Sequence, residues 1–409
     1  MRIITTAIFS ISFLAGFAQS TDLTVQQAID IALKNNMGIK ALDSDVESQR
    51  QLKKTAFDLP KTNVSLLYGQ YNSYSKNDNN ITVSQSIPFT ALGAQGSLNR
   101  SLVASSVLRK TATENELIYQ VKQVYYQLSF TKARHALLLK QDSIYEGFFK
   151  AASLRYKTGE ANLLEQATAE TQRNEVQNQL RLNESNITVL RTQLKTLLNS
   201  DDLPDILTGA QLELVFTEVP DTTAIISNPT LAYVRQQIEV AQNQKKIEAA
   251  RFAPDLLIGF FSQTLIDVVN TENSAVATSK DRFTGFQVGL SIPLWFVPHQ
   301  GRVKAAEYSR QAAESNYRYS QITLQGQLQQ AAQQYTKNKN SLDYYRTSAM
   351  PNADLILRQS QTAFSQGEIG YAEYLIGVRN AIGIKEGFLQ TLNDYNQSII
   401  YIEFLSGNK

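Results

Sequence analysis

The sequence of 409 residues contains no cysteine and only two histidines, His135 and His299. Without cysteine there is no disulfide, no thiolate metal ligand, no thiol nucleophile and no lipidated N-terminal cysteine. Two histidines leave little for a histidine-based zinc site. Phosphate-binding glycine loops and paired metalloprotease histidines are also missing from the sequence. We therefore expect a protein that is not an enzyme and that holds no cofactor and no metal ion.

The sequence also lacks a marked excess of either charge, with 39 basic against 37 acidic residues. Nucleic-acid-binding domains usually carry a strong basic excess, so we expect no nucleic acid partner. The only long apolar run is Ile3 to Phe17, which follows Arg2 and ends beside the small residue Ala18. This layout is typical of a secretory signal peptide, and the run is short for a membrane anchor. The sequence thus predicts a signal peptide at residues 1–20.

Several landmarks occur twice in the chain and in the same order. Gly159 is followed after six residues by Glu165, and Gly367 is followed after six residues by Glu373. A Ser-Ile-Pro segment and, seven residues after its proline, a Gln-Gly pair also occur in both halves, at 86–88 with 95–96 and at 291–293 with 300–301. Ordered repetition of this kind indicates a duplication. We predict a first repeat at 21–200, a linker at 201–221 and a second repeat at 222–409.

Each repeat has the same predicted elements: a helix, a hairpin of two alternating strands, a long helix and a returning helix. The first helix is predicted from Thr24 to Phe57, with Thr24 and Gln27 as a capping box. The alternating segments predict strands at about 62–90 and 254–292, and the helical segments follow at about 94–199 and 301–405. The pair Met350-Pro351 should kink or locally break the second long helix.

The four predicted strands each have one apolar face, and these faces must be covered to be kept from water. They can pack beneath helices in a soluble protein, or several chains can close them into a barrel in a lipid bilayer. The signal peptide favours the membrane barrel. Aromatic residues near the strand ends suit its interfacial girdle.

Taken together, these features resemble the TolC-type outer-membrane efflux proteins, over essentially the whole chain after the signal peptide. The resemblance rests on the opening Leu23 to Ala28, the paired Ile-Pro strand ends and the two glycine turns. It implies a mainly α-helical homotrimer with a small β part: a 12-stranded transmembrane β-barrel continued by a 12-helix periplasmic α-barrel. It also implies the outer membrane of a Gram-negative bacterium, contact with its lipid, a periplasmic adaptor (membrane fusion protein) and an inner-membrane pump of the RND type.

The resemblance places the two glycine turns at the periplasmic entrance of the channel. Residues implied to dock the adaptor are Arg155, Tyr156, Gly159, Leu163, Leu164, Phe364, Gly367 and Leu375. The alternative for these residues is packing and capping at helix ends. Glu165 and Glu373 fall where relatives have acidic entrance residues, and three copies of Glu373 would favour cations. Ile369 and Ile376 stand where some relatives have an arginine and a second acid, so a hydrophobic constriction is the alternative to a charged lock.

The expected function is therefore a passive outer-membrane export duct for small molecules or metal cations within a tripartite efflux system. Two alternatives remain open. One is a secreted structural or adhesive coiled-coil protein, and the other is the outer-membrane duct of a type I protein secretion system. A periplasmic hydrolase would need a concentrated polar site, which the sequence does not contain.

Overall fold

The computed structural model describes residues 22–71, 73–206, 213–216, 220–270, 272 and 274–407. The predicted signal peptide lies outside the described residues. The protein is mainly helical with a small sheet, as the sequence predicted. The α-helices are α1 Val25–Asn35, α2 Met37–Leu52, α3 Phe89–Lys157, α4 Leu163–Leu198, α5 Pro229–Ala250, α6 Phe296–Tyr344, α7 Met350–Ser365 and α8 Tyr371–Ser406. The strands are β1 Asn63–Tyr68, β2 Asn79–Ile87, β3 Asp255–Gln263 and β4 Phe283–Ser291.

The predicted capping box is confirmed at the start of α1. The Gln27 amide N donates to Thr24 Oγ1 at 3.2 Å, and the Thr24 amide N donates to Gln27 Oε1 at 2.9 Å. The predicted single helix from Thr24 to Phe57 is wrong, because it breaks at Asn36. The Asn36 side chain accepts the amide of Gly38 at 2.8 Å and so starts α2 as a new helix.

The two long helices begin earlier than predicted, α3 at Phe89 instead of about 94 and α6 at Phe296 instead of about 301. Proline near a helix start is compatible with this, because the first four N–H groups of a helix have no partner within it. The Pro88 carbonyl accepts the amides of Ala91 and Leu92, and Pro298 lies inside the first turn of α6.

The predicted interruption at Pro351 is confirmed. A single π-helical turn, Tyr345–Ala349, separates α6 from α7 directly before it. Proline has no N–H for the preceding turn, and a π turn relieves the resulting clash.

The chain divides into two compact units. The helical unit contains the described residues up to Ala32 together with those of Val121–Leu214 and Tyr344–Asn393. The sheet unit contains those of Leu33–Gln120, Val215–Asp343 and the segment from Asp394 onward. Both units take segments from the two predicted repeats, so the repeat boundaries are not the boundaries of the units.

The sheet is antiparallel, with strand order β1-β2-β3-β4. Val64, Val83, Phe260 and Phe286 stand in one row across the four strands. Apolar side chains continue along this face through Val288, which is 74% exposed. The apolar face is therefore uncovered within the chain.

The opposite face of the sheet is more polar. Residues of odd number in β1 and β4 and of even number in β2 supply Ser65, Thr82, Ser84 and Gln287 to this face. This face also carries Leu67, Leu257 and Phe261, so the predicted alternation holds on this face in β2 and is incomplete in β1 and β3. Within the described residues, β1 and β4 each pair with one neighbour only, so both edges of the sheet are open.

The helices of the sheet unit are joined by buried rings and amides. The Tyr335 ring on α6 lies 5.3 Å from the Phe216 ring and 5.5 Å from the Tyr395 ring on α8. Asn228 begins α5 as its N-cap, with its side chain accepting the amide of Thr230 at 2.8 Å. Asn228 thus occupies the role that Asn36 has at α2. None of the described helices contains a stretch that is long and apolar enough to cross a lipid bilayer.

Candidate functional site: the two glycine turns

Two helix reversals of the helical unit share one backbone geometry. Gly159, between α3 and α4, has a φ of +77°, and Gly367, between α7 and α8, has a φ of +74°. The Glu160 amide donates to the Arg155 carbonyl at 2.8 Å, and the Glu368 amide donates to the Ala363 carbonyl at 2.8 Å. This bond across five residues is the Schellman ending of a helix, which places glycine in the left-handed conformation. We call these reversals the first turn and the second turn.

Both glycines are exposed, and a Cβ atom at either position would meet no atom within 4 Å. Glycine is therefore needed for its left-handed backbone and not for close packing inside the chain. The open space leaves both turns accessible.

The first turn is held by polar contacts. The Asn162 side chain caps α4 by accepting the Glu165 amide at 3.0 Å. Arg155 Nη1 lies 2.8 Å from Glu165 Oε1, and the Glu165 side chain is only 18% exposed. One carboxylate thus ties the end of α3 to the start of α4.

The second turn has a different set of polar contacts. Gly370 stands at the position of Asn162 and has no side chain with which to cap α8. Instead Glu373 Oε2 accepts the Gly370 amide at 3.2 Å, which is the reverse half of a capping box. Ala363 occupies the position of Arg155, so no arginine balances the exposed Glu373 from that position. Glu165 and Glu373 match in sequence and differ in charge environment.

Aromatic side chains join the helices that end at the two turns. We call Tyr145, Phe148, Phe364, Tyr371 and Tyr374 the aromatic cluster. The Phe364 and Tyr374 rings stack with centroids 4.5 Å apart, and the Phe148 ring meets Tyr374 edge-on at 4.6 Å. Val176 of α4 and Val378 of α8 are buried in the same core. All four helices that bound the turns therefore share one hydrophobic core.

The Tyr371 hydroxyl is buried without a hydrogen-bond partner within the described chain. Burial and the neighbouring charges of Glu165 and Tyr145 raise the pKa of the Tyr371 hydroxyl to about 12. The phenol is therefore neutral over the physiological range. The effect of the Glu165 charge on this pKa indicates that the start of α8 lies close to the first turn.

A groove of about 510 Å³ lies between α3 and α7 and is lined in part by Phe148, Phe364 and Tyr374 of the aromatic cluster. Small residues line its α3 side, at Ser143, Gly147 and Ala151. Leu357 and Gln361 line the α7 side. The groove brings apolar and amide surface next to the turns.

The predicted docking residues fall into three groups. Tyr156, Leu163 and Leu164 are exposed, at 42%, 61% and 73%, and the two glycines are exposed beside them. Phe364 and Leu375 pack against the buried core, and Arg155 is engaged with Glu165.

The predicted entrance residues also divide into exposed residues and residues that pack against the core. Ile376 is 51% exposed, and Glu373 is exposed near it. Ile369 packs against the buried core, so the two isoleucines do not have equivalent surroundings.

Three further residues of the site, Phe148, Tyr371 and Tyr374, were not predicted from the sequence. The sequence feature that could have predicted them is the three-residue spacing of the pairs Tyr145–Phe148 and Tyr371–Tyr374, which places each pair on one helix face. No cluster of acidic and histidine side chains that could hold a metal ion occurs among the described residues.

Residues 222–407 match the family model described as outer membrane efflux protein. No curated protein sequence matches the chain.

Solved structures with this fold include CusC, with a TM-score of 0.77 and 15% identity over 95% of this chain and 93% of CusC. The outer membrane protein VceC of Vibrio cholerae has a TM-score of 0.75 and 14% identity, covering 94% of this chain and 96% of VceC. The MtrE outer membrane channel of Neisseria gonorrhoeae, in its open state, has a TM-score of 0.75 and 15% identity, covering 94% of this chain and 89% of MtrE. At these identities the likeness shows a common fold.

Residues 222–407 are thus similar to outer membrane efflux proteins, and nearly the whole chain has the fold of the solved outer-membrane channels. The family-model match and the shared fold confirm the predicted resemblance to the TolC-type efflux proteins.

Proposed function

We propose that the protein is the outer-membrane channel of a tripartite efflux system, acting as a passive export duct. The observation that carries this proposal is a four-stranded sheet with an uncovered apolar face and two open edges. A soluble protein rarely leaves such a surface unpartnered. A lipid bilayer matches the apolar face, and further copies of the chain match the edges.

The oligomer in this proposal is a homotrimer. β4 of one chain pairs with β1 of the next, and three four-stranded sheets close into a barrel of twelve strands. Closure removes the open edges, which would be costly in hydrocarbon. The α-helices of the three chains continue the barrel as a twelve-helix periplasmic tunnel.

In this proposal the two turns form the periplasmic entrance and receive the adaptor, which links the channel to an inner-membrane pump of the RND type. Exposed Tyr156, Leu163 and Leu164 supply apolar contact area, and the glycines permit close backbone approach. Exposed Ile376 narrows the entrance, while Ile369 supports it from the core.

Three copies of Glu373 at the entrance would attract cations, because each carboxylate lacks an arginine at the position of Ala363. The cargo class is therefore cations or neutral and cationic small molecules. Single-channel recordings test this: Glu373→Gln should lower the preference for cations over anions, and Glu175→Gln, an exposed carboxylate on α4, should leave it unchanged. Equal selectivity in all three proteins would contradict the ring.

Membrane insertion is tested with two neighbouring residues on opposite faces of β4. Val288→Asp places a charge on the face assigned to lipid. A basic side chain at the bilayer midplane destabilises such a barrel by about 2 to 4 kcal/mol, and an acidic side chain destabilises it by less. Gln287→Asp, on the polar face, is the matched control. We expect heat-modifiable trimers in the outer-membrane fraction for the native protein and Gln287→Asp, and loss of them for Val288→Asp.

Recovery of the native chain as a soluble monomer would refute the channel and favour the secreted coiled-coil alternative. Normal insertion of Val288→Asp would refute the assignment of the faces. Because the native chain has no cysteine, cysteines introduced on β1 and β4 can also report the trimer. Disulfide-linked dimers and trimers should form from edge-strand pairs and not from single cysteines on β2.

A further inference from the structure

Exposed aromatic side chains stand at the end of the sheet that adjoins the long helices. In the antiparallel sheet, β1 and β3 begin and β2 and β4 end on the same side. We call this side, where the strands adjoin the helices, the helix-side edge; it is distinct from the open edge strands β1 and β4. Trp295, the only tryptophan, is 83% exposed directly after β4. Phe57, at 80%, and Phe89, at 57%, are exposed beside β1 and β2. Large amphipathic rings at the end of an apolar face are typical of a membrane interface.

Basic side chains without carboxylate partners lie close in sequence to these rings, in the segments that flank the strands. Each is exposed, and none forms an ion pair within the described part of the chain; they are Lys53, Lys54, Lys61, Arg100, Arg302 and Lys304. Other basic side chains of this region are paired: Arg251 with Glu248 at 3.0 Å, and Lys245 with Glu307 at 2.9 Å. Asp58 and Asp255, beside β1 and β3, also form no ion pair within the described chain, so six basic residues stand against two acidic ones. The helix-side edge therefore carries a surplus of unpaired positive charge.

The opposite edge of the sheet has no such surplus. Its loops contain both signs, with Lys76, Lys280 and Arg282 against Asp78, Asp267, Glu272 and Asp281. Several of these acids are already bonded, as Asp78 is to Thr264 at 3.0 Å. The difference between the edges shows that the positive charge is specific to one side of the sheet.

An apolar groove of about 410 Å³ lies among the basic residues of the helix-side edge. Ala249, Phe252 and Val303 form its apolar wall, and Gln300 and Lys304 supply its polar atoms. The Phe252 ring is 5.6 Å from the Phe296 ring, which places the groove next to Trp295. A groove with an apolar wall and a lysine at its rim has the chemistry to hold an acyl chain beside a phosphate headgroup.

The spacing along α6 agrees with this fit. Arg302 and Lys304 lie about 9 and 12 Å beyond Phe296 at helical rise. The headgroup region adds about 5 to 8 Å to each side of the hydrocarbon core, and long basic side chains bend back toward it. Both cationic groups can therefore reach headgroup phosphates while Trp295 stays at the hydrocarbon boundary.

We propose that the helix-side edge is a binding surface for anionic phospholipids, in which Arg302 and Lys304 bind the phosphate headgroup and the groove beside Phe252 holds an acyl chain. The proposal rests on the proposed function, since it requires the sheet to span a bilayer. It adds a lipid class and a side of the membrane: a net negative headgroup, in the leaflet nearest the helices.

The single tryptophan allows a direct test. The purified protein is reconstituted into phosphatidylcholine bilayers that contain either brominated phosphatidylglycerol or brominated phosphatidylcholine, and quenching of Trp295 fluorescence is measured. We expect stronger quenching by the anionic lipid and a decline of this preference with added salt. Arg302→Gln and Lys304→Gln should each lower the preference by up to about five-fold at low salt. Lys280→Gln, on the opposite edge, is the matched control and should leave it unchanged.

The outcomes separate the two proposals. Equal quenching by the two lipids would overturn the anionic-lipid surface and leave the membrane-spanning sheet in place. An unchanged preference in Arg302→Gln and Lys304→Gln would overturn the assignment of the binding residues. Absence of quenching by either lipid would place Trp295 outside the bilayer and overturn the proposed function itself.

Discussion

The first and second turns have the same backbone and different means of support. Both reverse the chain at a left-handed glycine, with the same hydrogen bond across five residues. The first turn is fastened by an asparagine cap and by the ion pair of Arg155 with Glu165. The second turn lacks both and relies on Glu373 as a cap and on the stacked rings of Phe364 and Tyr374. Backbone geometry is thus shared between the turns, and the side chains decide their charge and stability.

The largest expected effect comes from removing the aromatic cluster that the two turns share. Phe148→Ala empties a site that is 4% exposed and contacts Tyr374 edge-on, and truncation of a buried phenylalanine costs about 3 to 5 kcal/mol. Amide hydrogen exchange should accelerate most in α7 and α8, where the second turn has little else to hold it. Leu163→Ala, at an exposed position, serves as the control. Unchanged exchange around the second turn would show that the cluster does not support it.

Replacing either glycine should have the next largest effect, and the effect should be the same in both turns. Gly159→Ala and Gly367→Ala put a Cβ on a left-handed residue, at about 1 to 2 kcal/mol each. Neither Cβ would clash, so the cost is that of the backbone alone. Thermal unfolding of the two variants measures this, and asparagine substitutions should be milder. A large difference between the two alanine variants would mean that one turn has a second constraint.

A smaller effect should result from breaking the ion pair of the first turn. Arg155→Gln removes a half-exposed partner of Glu165, and such pairs contribute about 0.2 to 1 kcal/mol. The reverse experiment supplies the missing partner: Ala363→Arg gives Glu373 the neighbour that Glu165 has. Hydrogen exchange at the second turn should slow in Ala363→Arg and not in Ala363→Gln. Equal exchange in both variants would contradict the equivalence of Arg155 and Ala363.

The smallest effect at neutral pH is expected for Tyr371→Phe. The variant removes a hydroxyl that has no hydrogen-bond partner among the residues that the structure describes, so stability near pH 7 should be unchanged. Burial raises the pKa of Tyr371 to about 12, above its ordinary value near 10. The native protein therefore loses stability from about pH 10 to 12, where the unfolded chain ionises first. Tyr371→Phe should lose less stability across this pH window in unfolding experiments. Identical pH profiles of the two proteins would show that Tyr371 does not cause the loss of stability.

Much of the fold could be predicted from the sequence because its signals are local. Alternation of apolar and polar residues predicted the strands, and Pro351 predicted the interruption confirmed by the π turn. Thr24 and Gln27 predicted their own reciprocal cap. The break at Asn36 was missed, because an asparagine inside a helical pattern can either be tolerated or begin a new helix.

The candidate site was less predictable, because its residues meet across long sequence distances. The repeated Gly–Glu spacing located both turns, and the structure gives both glycines the left-handed backbone. The surroundings of Glu165 and Glu373 depend on the residue ten positions before each acid. They also depend on how α8 packs beside the first turn. Phe148 and Tyr374 contact each other across more than two hundred residues, which no local pattern records.

The sequence alone determined the order of helices and strands, the alternating faces of the sheet and the position of the two turns, since each depends on neighbouring residues. Tertiary structure alone decided that Glu165 is paired while Glu373 is exposed, and that Phe364, Ile369 and Leu375 pack inward. It also brought the rings and unpaired basic residues of distant segments to one edge of the sheet. The physical reason is that burial and charge pairing are properties of packed neighbours, and the antiparallel register and helix packing choose those neighbours.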